Sequence, residues 1–424
     1  MARAAPGSRS SVEEICCQKF IGCPGRLRKS RIVARRRRLR PAAPQTHQTL
    51  PAPTLFPPAA AAFHALPRPH DISWRSLPRD SRPVARAALQ GPTWLAEVNG
   101  SAPASTRCTG EDPMLYLTEQ DVLRLLDMPS AIAAVERSML SCAAGEGESI
   151  PRRRAKTRRG IFHLMGGSLR DAGVHGLKAY TSLPEGTRFF CLLFGEDGAP
   201  LALIEADNLG RIRTGAASAV ATRVLARPDA SVMLVIGSGT QARTQVQAVA
   251  CVRRLQEVMV WSRTPEHRER FAALLREEDG LPACAVDDPG EACRKADIIT
   301  TITTSREPVL LSEWVPDGAH INACGSNHLS RIEIDPRLFA RAACTCVDHR
   351  EQALAECGEL AAAVREGLTH PDRLTELPDV LAGRAQGRSS PMDVTLFESQ
   401  GIGIWDVAVA EEVLRRAGGL PANP

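Results

Sequence analysis

Apolar segments typical of buried strands alternate with segments of helical periodicity between residues 231 and 348. This alternation is typical of parallel strands joined by helices that cover both faces of a sheet. Helices are predicted over 242–255 and 265–277, the second with proline in its first turn. We therefore predict an α/β, Rossmann-like doubly wound domain, with strands at 231–236, 258–261, 283–286, 298–302, 320–324 and 343–347.

Helices and strands are arranged differently between residues 114 and 228. Thr118 is suited to cap a helix whose first turn is acidic, and a second helix is predicted from Ala131 to Met139. Pro228 is expected to end an alanine-rich helix. These patterns predict a separate α+β domain with strands at 115–117, 189–194 and 200–204 and the alanine-rich helix at 214–225.

The first 113 residues show neither helical nor strand periodicity and hold 15 of the 31 prolines. Such a segment buries too little apolar surface to offset chain entropy, so we expect disorder. Three other interpretations stay open: an Arg-rich organelle transit peptide, a nucleic-acid arm at 26–40, and an incorrectly assigned start, because Met114 opens the first patterned segment.

The overall charge of +5 averages two segments of opposite sign. Residues 1–113 carry 18 basic and 7 acidic side chains, whereas residues 114–424 carry 35 and 41. The positive surplus that suggests nucleic acid therefore lies outside the patterned part of the chain, and we consider a nucleic-acid partner unlikely. No apolar run reaches the roughly 18 residues of a membrane-spanning helix, and we expect no membrane partner.

The 13 cysteines are an odd number in a long chain without a secretory signal. Several lie in apolar segments, where a thiol behaves as a small hydrophobic group. We therefore expect a reducing compartment and a cytoplasmic location, with organelle transit as the alternative.

A glycine-containing loop follows the first strand of the predicted doubly wound domain and leads into a helix. Gly237 allows the tight turn, Gly239 allows a pyrophosphate to approach, and Ala242 keeps helix and strand close. The helix N-terminus then offers free N–H groups to the phosphates. We predict dinucleotide binding here, with Thr240 and Gln241 in the same loop.

The second strand of this domain indicates which dinucleotide binds. A site that prefers NAD usually ends this strand with an acidic residue that holds the ribose 2′-hydroxyl. Here the strand is followed by Ser262, Arg263 and Thr264. Two hydroxyls and a guanidinium suit a 2′-phosphate, so NADP is the predicted cofactor and NAD the alternative.

Over residues 114–424 the chain resembles the ornithine cyclodeaminase/mu-crystallin family. The resemblance implies a homodimer whose subunits move a hydride between a nicotinamide cofactor and the α-carbon of an amino acid or its imine. It also implies two domains after the extension 1–113. The substrate-binding and dimerisation domain spans 114–228 and is completed by about 380–424, and the nucleotide-binding domain spans 229–379. The segments that carry the resemblance occur in order at 176–178, 213–218, 237–242, 296–301, 325–327 and 395–401.

The resemblance also assigns candidate roles to individual side chains. Lys178 and an arginine from the run 152–154 match positions that hold the substrate carboxylate, with Arg152 preferred over Arg154. Arg213 matches a position near both nicotinamide and substrate. The remaining positions match cofactor contacts at Gln241, Thr303 and Ser399.

One position departs from the cyclodeaminases of this family. Where they carry an aspartate that acts as the general base, this chain has Asn327, which cannot take a proton at neutral pH. Lys178 and Asn327 are thus the candidate catalytic residues. No metal site is expected, because Cys344, Cys346 and His349 fit a buried strand and its turn.

The predicted function is an NAD(P)-dependent oxidoreductase acting on a small amino acid or cyclic imino acid, as a ketimine reductase or amino-acid dehydrogenase. Hydride transfer needs no protein nucleophile, which agrees with the lack of a serine-hydrolase signature. Two alternatives stay open: a cyclodeaminase-like ammonia-lyase, and a protein that binds NADPH and a small ligand without turnover.

Overall fold

The computed structural model describes residues 114–420, and the predictions for residues 1–113 lie outside this range. Within it, one mixed sheet has the strand order β1-β6-β5-β4-β3-β2. Strand β1 pairs parallel with β6, and the remaining pairs are antiparallel. We call this the first sheet; its strands are β1 (Leu115–Leu117), β2 (Gly147–Lys156), β3 (Ile161–Leu169), β4 (Val174–Leu183), β5 (Gly186–Gly195) and β6 (Pro200–Glu205).

Helices cover one face of the first sheet. Strand residues that face them, such as Cys191, Leu193 and Ile204, are buried in one apolar cluster with Met139 and Trp405. The alternation of the strands places the intervening residues on the other face, which no described helix covers. The helices of this layer are α1 (Glu119–Leu125), α2 (Met128–Ala144), α3 (Asp207–Leu225) and, from the end of the chain, α11 (Gly403–Arg416).

A parallel sheet forms the second layer, with the order β13-β12-β14-β11-β10-β7-β8-β9 among the described residues. This confirms the predicted doubly wound architecture. Its strands are β7 (Val232–Ile236), β8 (Glu257–Trp261), β9 (Ala283–Ala285), β10 (Ile298–Thr301), β11 (His320–Ala323), β12 (Cys344–Val347), β13 (Leu374–Glu376) and β14 (Thr395–Glu398).

Short helices connect these strands. The helix after the glycine loop, α4 (Ala242–Val252), packs against α3, and a Cβ at Gly215 would lie 2.3 Å from the Thr244 carbonyl oxygen. This close approach fixes α3 beside the loop. The others are α5 (Pro265–Glu277), α6 (Pro289–Cys293), α7 (Arg337–Arg341), α8 (Arg350–Glu356), α9 (Gly358–Arg365) and α10 (Leu377–Leu381).

The end of the chain crosses between the two layers more than once. Helix α10 packs against α2, but β14 then enters the parallel sheet between β11 and β12 before α11 returns to the first sheet. The predicted return of the chain to the first domain near residue 380 therefore does not hold for β14, because residues 395–398 belong to the second sheet. This crossing brings residues 399–401 between the layers.

The alanine-rich helix α3 begins at Asp207, seven residues before the predicted start at 214. The carboxylate of Glu119 accepts hydrogen bonds from the backbone N–H groups of Asp207 and Asn208. Because this cap lies 88 residues away in sequence, the local pattern does not reveal it. As a result Arg213 lies inside the helix, one face of which points into the space between the layers.

No described helix is long and apolar enough to cross a membrane. The nine cysteines of the described range are all free thiols. Cys344 and Cys346 are buried on β12, as predicted, with their sulfur atoms 3.5 Å apart.

Candidate active site

A cleft of about 1270 Å³ lies between the covered face of the first sheet and the carboxyl ends of the parallel strands. Loops after β7, β8, β10, β11 and β14 form one wall, and β4, β5 and α3 form the other. Ligands of open α/β sheets bind at this edge, where the strands end. Of the predicted site residues, Ala242 and Arg154 do not line the cleft.

The glycine loop at one end of the cleft has the features of a phosphate cradle. Gly237 has φ 123°, and a Cβ there would lie 2.5 Å from the Ile302 carbonyl oxygen. A Cβ at Gly239 would meet no atom within 4 Å, so the space beside it is open. Within the described residues, no group accepts from the backbone N–H groups of 238–241. Ala242 is fully buried, which keeps α4 close to β7. A dinucleotide pyrophosphate fits this loop.

The residues after β8 lie beside the glycine loop. The Ser262 hydroxyl donates to the Thr264 carbonyl oxygen at 3.1 Å, while Arg268 holds the Ser262 carbonyl at 3.2 Å. Arg263 is exposed, lines the cleft and forms no ion pair with a described residue. No carboxylate stands at the end of this strand, so the position offers a free guanidinium.

Two cations and one carboxylate form a buried group at the other end of the cleft. The Nζ of Lys178 and the Nε of Arg213 lie 2.8 and 3.1 Å from the same oxygen, Oδ1 of Asp406. Asp406 is fully buried; burial alone raises the pKa of its carboxyl, but the charges of Arg213 and Lys178 outweigh that effect and hold the pKa below its usual value. Asp406 therefore stays ionised and orients both cations.

Two glycines make room for these cations. A Cβ at Gly210 would lie 2.5 Å from the Nζ of Lys178, and a Cβ at Gly401 would lie 2.6 Å from Nη1 of Arg213. Nη1 of Arg213 is buried and has no partner among the described residues. The guanidinium therefore keeps donors for a ligand, and the two glycines allow it and the lysine to occupy their positions.

Arg152 and Arg154 share one carboxylate, that of Glu356 on α8. Their Nη1 atoms lie 2.5 and 2.6 Å from its two oxygens. Nη2 of Arg152 donates to the carbonyl oxygens of Gln400 and Gly401, so only its buried Nε lacks a partner. Arg152, which lines the cleft, thus retains one free donor, while Arg154 joins β2 to the second layer.

Asn327 lines the cleft between two arginines. Its carbonyl oxygen accepts from Arg154 at 2.9 Å, and its side-chain Oδ1 accepts from Arg331 at 3.2 Å. This geometry leaves the side-chain amide N–H groups of Asn327 available to a ligand. His328, the neighbouring residue, is exposed and bonds with Ser330 at 2.9 Å.

Aromatic rings line the part of the cleft next to Lys178. The rings of His163 and Tyr180 stack with their centres 4.3 Å apart, Phe189 follows at 4.9 Å from Tyr180, and the Nζ of Lys178 lies 5.0 Å from the centre of the Phe189 ring. Burial and the charges of Arg154 and Arg152 lower the pKa of His163 to about 4. A neutral, partly apolar surface thus adjoins the cationic group.

Buried acids hold two predicted cofactor contacts, one through its backbone and one through its side chain. The N–H of Thr303 donates to Glu333 at 2.5 Å, and the hydroxyl of Ser399 donates to Asp348 at 3.1 Å. Thr303 and Ser399 both line the cleft. Their positions depend on side chains that the sequence analysis did not select.

Asp406 and Glu356 are the main residues that sequence reasoning missed. Asp406 is the only acidic residue in the otherwise apolar segment 401–410, and that isolation was the available signal. Glu356 lies among other charged residues and carries no such signal. Tyr180, two residues beyond the segment 176–178, was also missed.

Comparisons with known proteins agree with this geometry. Residues 112–419 match the model of the ornithine cyclodeaminase/mu-crystallin family. A Δ1-pyrroline-2-carboxylate reductase of Bacillus cereus is 39% identical over 221 residues, which cover 52% of this chain and 68% of that protein.

Solved structures of imino-acid and amino-acid oxidoreductases are also similar to this chain. The Δ1-pyrroline-2-carboxylate reductase of Thermococcus litoralis, in complex with NADH and L-proline, superposes with a TM-score of 0.69 at 32% identity, covering 73% of this chain and all of that chain. An archaeal alanine dehydrogenase dimer with bound NAD has a TM-score of 0.68 at 32% identity, covering 73% and 98%.

Proposed function

The chain belongs to the ornithine cyclodeaminase/mu-crystallin family, and from this premise we propose that it is a dimeric, NADPH-dependent reductase of small α-imino acids. The pyrroline-2-carboxylate reductases and the alanine dehydrogenase that it resembles are oxidoreductases of imino and amino acids. The observation that carries the proposal is the pair Lys178 and Arg213, oriented by Asp406 in the same cleft as the glycine loop.

The substrate carboxylate fits the cationic group. Lys178 and the free Nη1 of Arg213 supply charge-assisted hydrogen bonds, and the unpartnered Nε of Arg152 is a third donor. Fixing the carboxylate orients the adjacent α-carbon, which is the reacting atom. The nicotinamide ring supplies the hydride when the cofactor is bound.

Asn327 favours simple reduction over cyclodeamination. Its amide can donate a hydrogen bond to a nitrogen of the substrate but cannot accept a proton at neutral pH. The carboxylate that lies among the cations, Asp406, is bound to both of them and has a lowered pKa, so it is unsuited to act as the base.

A substrate panel tests the proposed reaction. The full chain with NADPH or NADH is mixed with pyrroline-2-carboxylate, or with pyruvate and ammonium ions, and nicotinamide absorbance and the amino-acid product are followed. We expect the cyclic imine to be reduced to proline, with one reduced cofactor oxidised for each proline formed. Ammonia release from ornithine without net cofactor change, or no turnover of any member of the panel, contradicts the proposal.

Arg263 is the proposed determinant of NADPH over NADH. Its exposed, unpaired guanidinium follows β8, where an NAD site usually carries an acid. We expect Arg263→Ala to lower kcat/KM for NADPH about tenfold while that for NADH changes little, because only NADPH has a 2′-phosphate to lose this ion pair. Steady-state kinetics with both cofactors measures the ratio.

Arg270→Ala is the matched control, because Arg270 is an exposed arginine on α5 that does not line the cleft. It should leave the cofactor ratio at the wild-type value. A wild-type enzyme that prefers NADH, or an unchanged ratio in Arg263→Ala, argues against this assignment and leaves the reductase proposal standing.

A second copy of the chain is the proposed partner for the uncovered face of the first sheet. Leu164, Ala179 and Phe190 lie side by side on this face, as do Leu177 and Leu192. Leu164 is 39% exposed and the others are partly exposed, which is a large apolar surface for a monomer. The dimeric alanine dehydrogenase among the similar structures supports a dimer.

Leu164→Asp is expected to convert the dimer to monomers, because a carboxylate in the centre of an apolar interface loses its hydration without gaining a partner. Light scattering coupled to size-exclusion chromatography measures the mass. Met392→Asp, at a residue 64% exposed before β14, should stay dimeric. A monomeric wild type, or a dimeric Leu164→Asp, contradicts the assigned interface.

We also propose that the protein works in a reducing compartment, with the cytoplasm as the preferred location. The support is that the nine described cysteines are all free thiols, five of them buried. Buried thiols of this kind need no oxidising environment for stability.

A further inference from the structure

A thiol and two carboxylates are enclosed together at the carboxyl end of the second sheet, outside the cleft lining. Cys357 precedes α9, Glu359 lies in its first turn, and Glu398 ends β14. All three residues have no exposed surface. Their sulfur and carboxylate oxygen atoms lie within 4.8 Å of one another.

Each of the two carboxylates has one oxygen without a hydrogen bond and no cationic partner among the described residues. Oε2 of Glu359 and Oε2 of Glu398 accept no hydrogen bond within the described range. Gln400 donates to the other oxygen of Glu398 at 3.0 Å, and the backbone N–H of Glu333 donates to Glu359 at 3.3 Å. No lysine or arginine of residues 114–420 forms a salt bridge with either carboxylate. Two buried acidic oxygens thus lie close together without a compensating cation.

Nearby Glu333 does not share this deficit. Its two oxygens accept from the backbone N–H groups of Thr303 and Gly325 at 2.5 and 2.6 Å and from the Thr301 hydroxyl at 3.2 Å. Those bonds use its acceptor capacity, so Glu333 is excluded as a further ligand. The unpartnered carboxylate oxygens beside Glu333 belong to Glu359 and Glu398, while the sulfur of Cys357 accepts one hydrogen bond, from the N–H of Leu360 at 3.4 Å.

The chemistry of this donor set is selective. Magnesium and calcium ions take oxygen ligands only, whereas Zn²⁺ binds thiolate, imidazole and carboxylate. Ligand atoms around tetrahedral Zn²⁺ lie about 3.3–3.8 Å apart, given bond lengths of about 2.0–2.3 Å. The three atoms, which lie within 4.8 Å of one another, would have to approach by about 1 Å to reach that spacing.

We propose that Cys357, Glu359 and Glu398 bind one zinc ion, with water as the fourth ligand. The ion would join the end of β14 to the start of α9. Glu359 also accepts a hydrogen bond from the backbone N–H of Glu333, and the side chain of Glu333 accepts from the backbone N–H groups of Thr303 and Gly325. The proposed site would therefore stabilise the loops that form the cofactor side of the cleft. Two or three shared protons are the competing way to neutralise these groups, and the experiment separates the two.

Cobalt replaces zinc as the probe, since a thiolate–cobalt(II) bond gives a charge-transfer absorption. Full-length protein is treated with a chelator and titrated with Co²⁺. We expect one cobalt ion per chain with thiolate absorption, displaced by Zn²⁺. Cys357→Ser should lose the absorption, and Glu398→Gln should weaken binding by on the order of 100-fold or more.

Two controls exclude other ligands. Cys251→Ser changes an exposed cysteine and Glu411→Gln a buried carboxylate of α11, and both should bind cobalt as the wild type does. Glu398→Gln leaves every cysteine in place, including the four in residues 1–113. Weaker cobalt binding by this variant therefore places the site at Glu398.

Wild-type protein alone provides a test that does not depend on variants that fold poorly. Zinc should raise its thermal midpoint, since an ion that binds only the folded state stabilises it. No thiolate absorption and no thermal shift in the wild type overturn the proposal in favour of shared protons. Cobalt absorption that persists in Cys357→Ser, or unchanged affinity in Glu398→Gln, overturns it as well.

Discussion

Lys178→Met is expected to lower kcat/KM for imine reduction by about 100-fold or more. The Nζ of Lys178 is almost completely buried and faces the cleft beside Arg213. Methionine matches the side chain in length but removes the charged donor that we propose for the substrate carboxylate, so we expect most of the loss to appear in KM. Asp406 keeps Arg213 as its partner at 3.1 Å, which limits the effect on folding.

Three measurements make this prediction decisive. Lys295→Met, at an exposed lysine paired with Glu291, should retain wild-type kinetics. Lys178→Arg keeps the charge and should retain more activity than Lys178→Met. NADPH affinity, measured by cofactor fluorescence, should stay near the wild-type value, because the glycine loop is unchanged. A folded Lys178→Met enzyme with wild-type kcat/KM would falsify the assignment of the carboxylate site.

Gly401→Ala is expected to abolish most of the activity by displacing Arg213. Gly401 has φ 71°, and its Cβ would lie 2.6 Å from Nη1 and 3.2 Å from Nη2 of that arginine. The guanidinium of Arg213 must move away, and it then loses the hydrogen bond to Asp406 that orients it. Losing one positioned donor to the carboxylate costs on the order of 100-fold in kcat/KM.

Gly367→Ala separates this displacement from the backbone cost. Gly367 has the same φ of 71°, but a Cβ there would meet no atom within 4 Å. Both variants should lose about 1–2 kcal/mol of unfolding free energy to the left-handed conformation. Only Gly401→Ala should lose activity. Equal kinetics in the two variants, measured on folded protein, would show that the clash with Arg213 has no functional effect.

The nucleotide-binding half of the fold was largely predictable. Predicted and observed bounds agree for the helix Pro265–Glu277 and within one or two residues for strands β7 to β12. Fully buried parallel strands produce uninterrupted apolar runs, and the glycine loop has a local backbone requirement. Both signals lie within a few adjacent residues, so a single sequence carries them.

The first sheet was predicted only in part. Strands β2, β3 and β4, over Gly147–Leu183, were not identified, although Lys178 lies on β4. Their sequences include three successive arginines and several glycines, which weakens the alternating pattern. These strands are stabilised by antiparallel neighbours and by helix α11, more than 200 residues away.

The sequence by itself determined the α/β class and the dinucleotide loop, and its family resemblance predicted which side chains hold a carboxylate substrate. Only the tertiary structure decided how these residues work together: which arginine keeps free donors, that Asp406 orients Lys178 and Arg213, and that Gly210 and Gly401 leave them space. The reason is physical. Backbone geometry and apolar periodicity are local properties, whereas the pairing of buried charges depends on which distant segments meet, and that is settled by packing the complete chain.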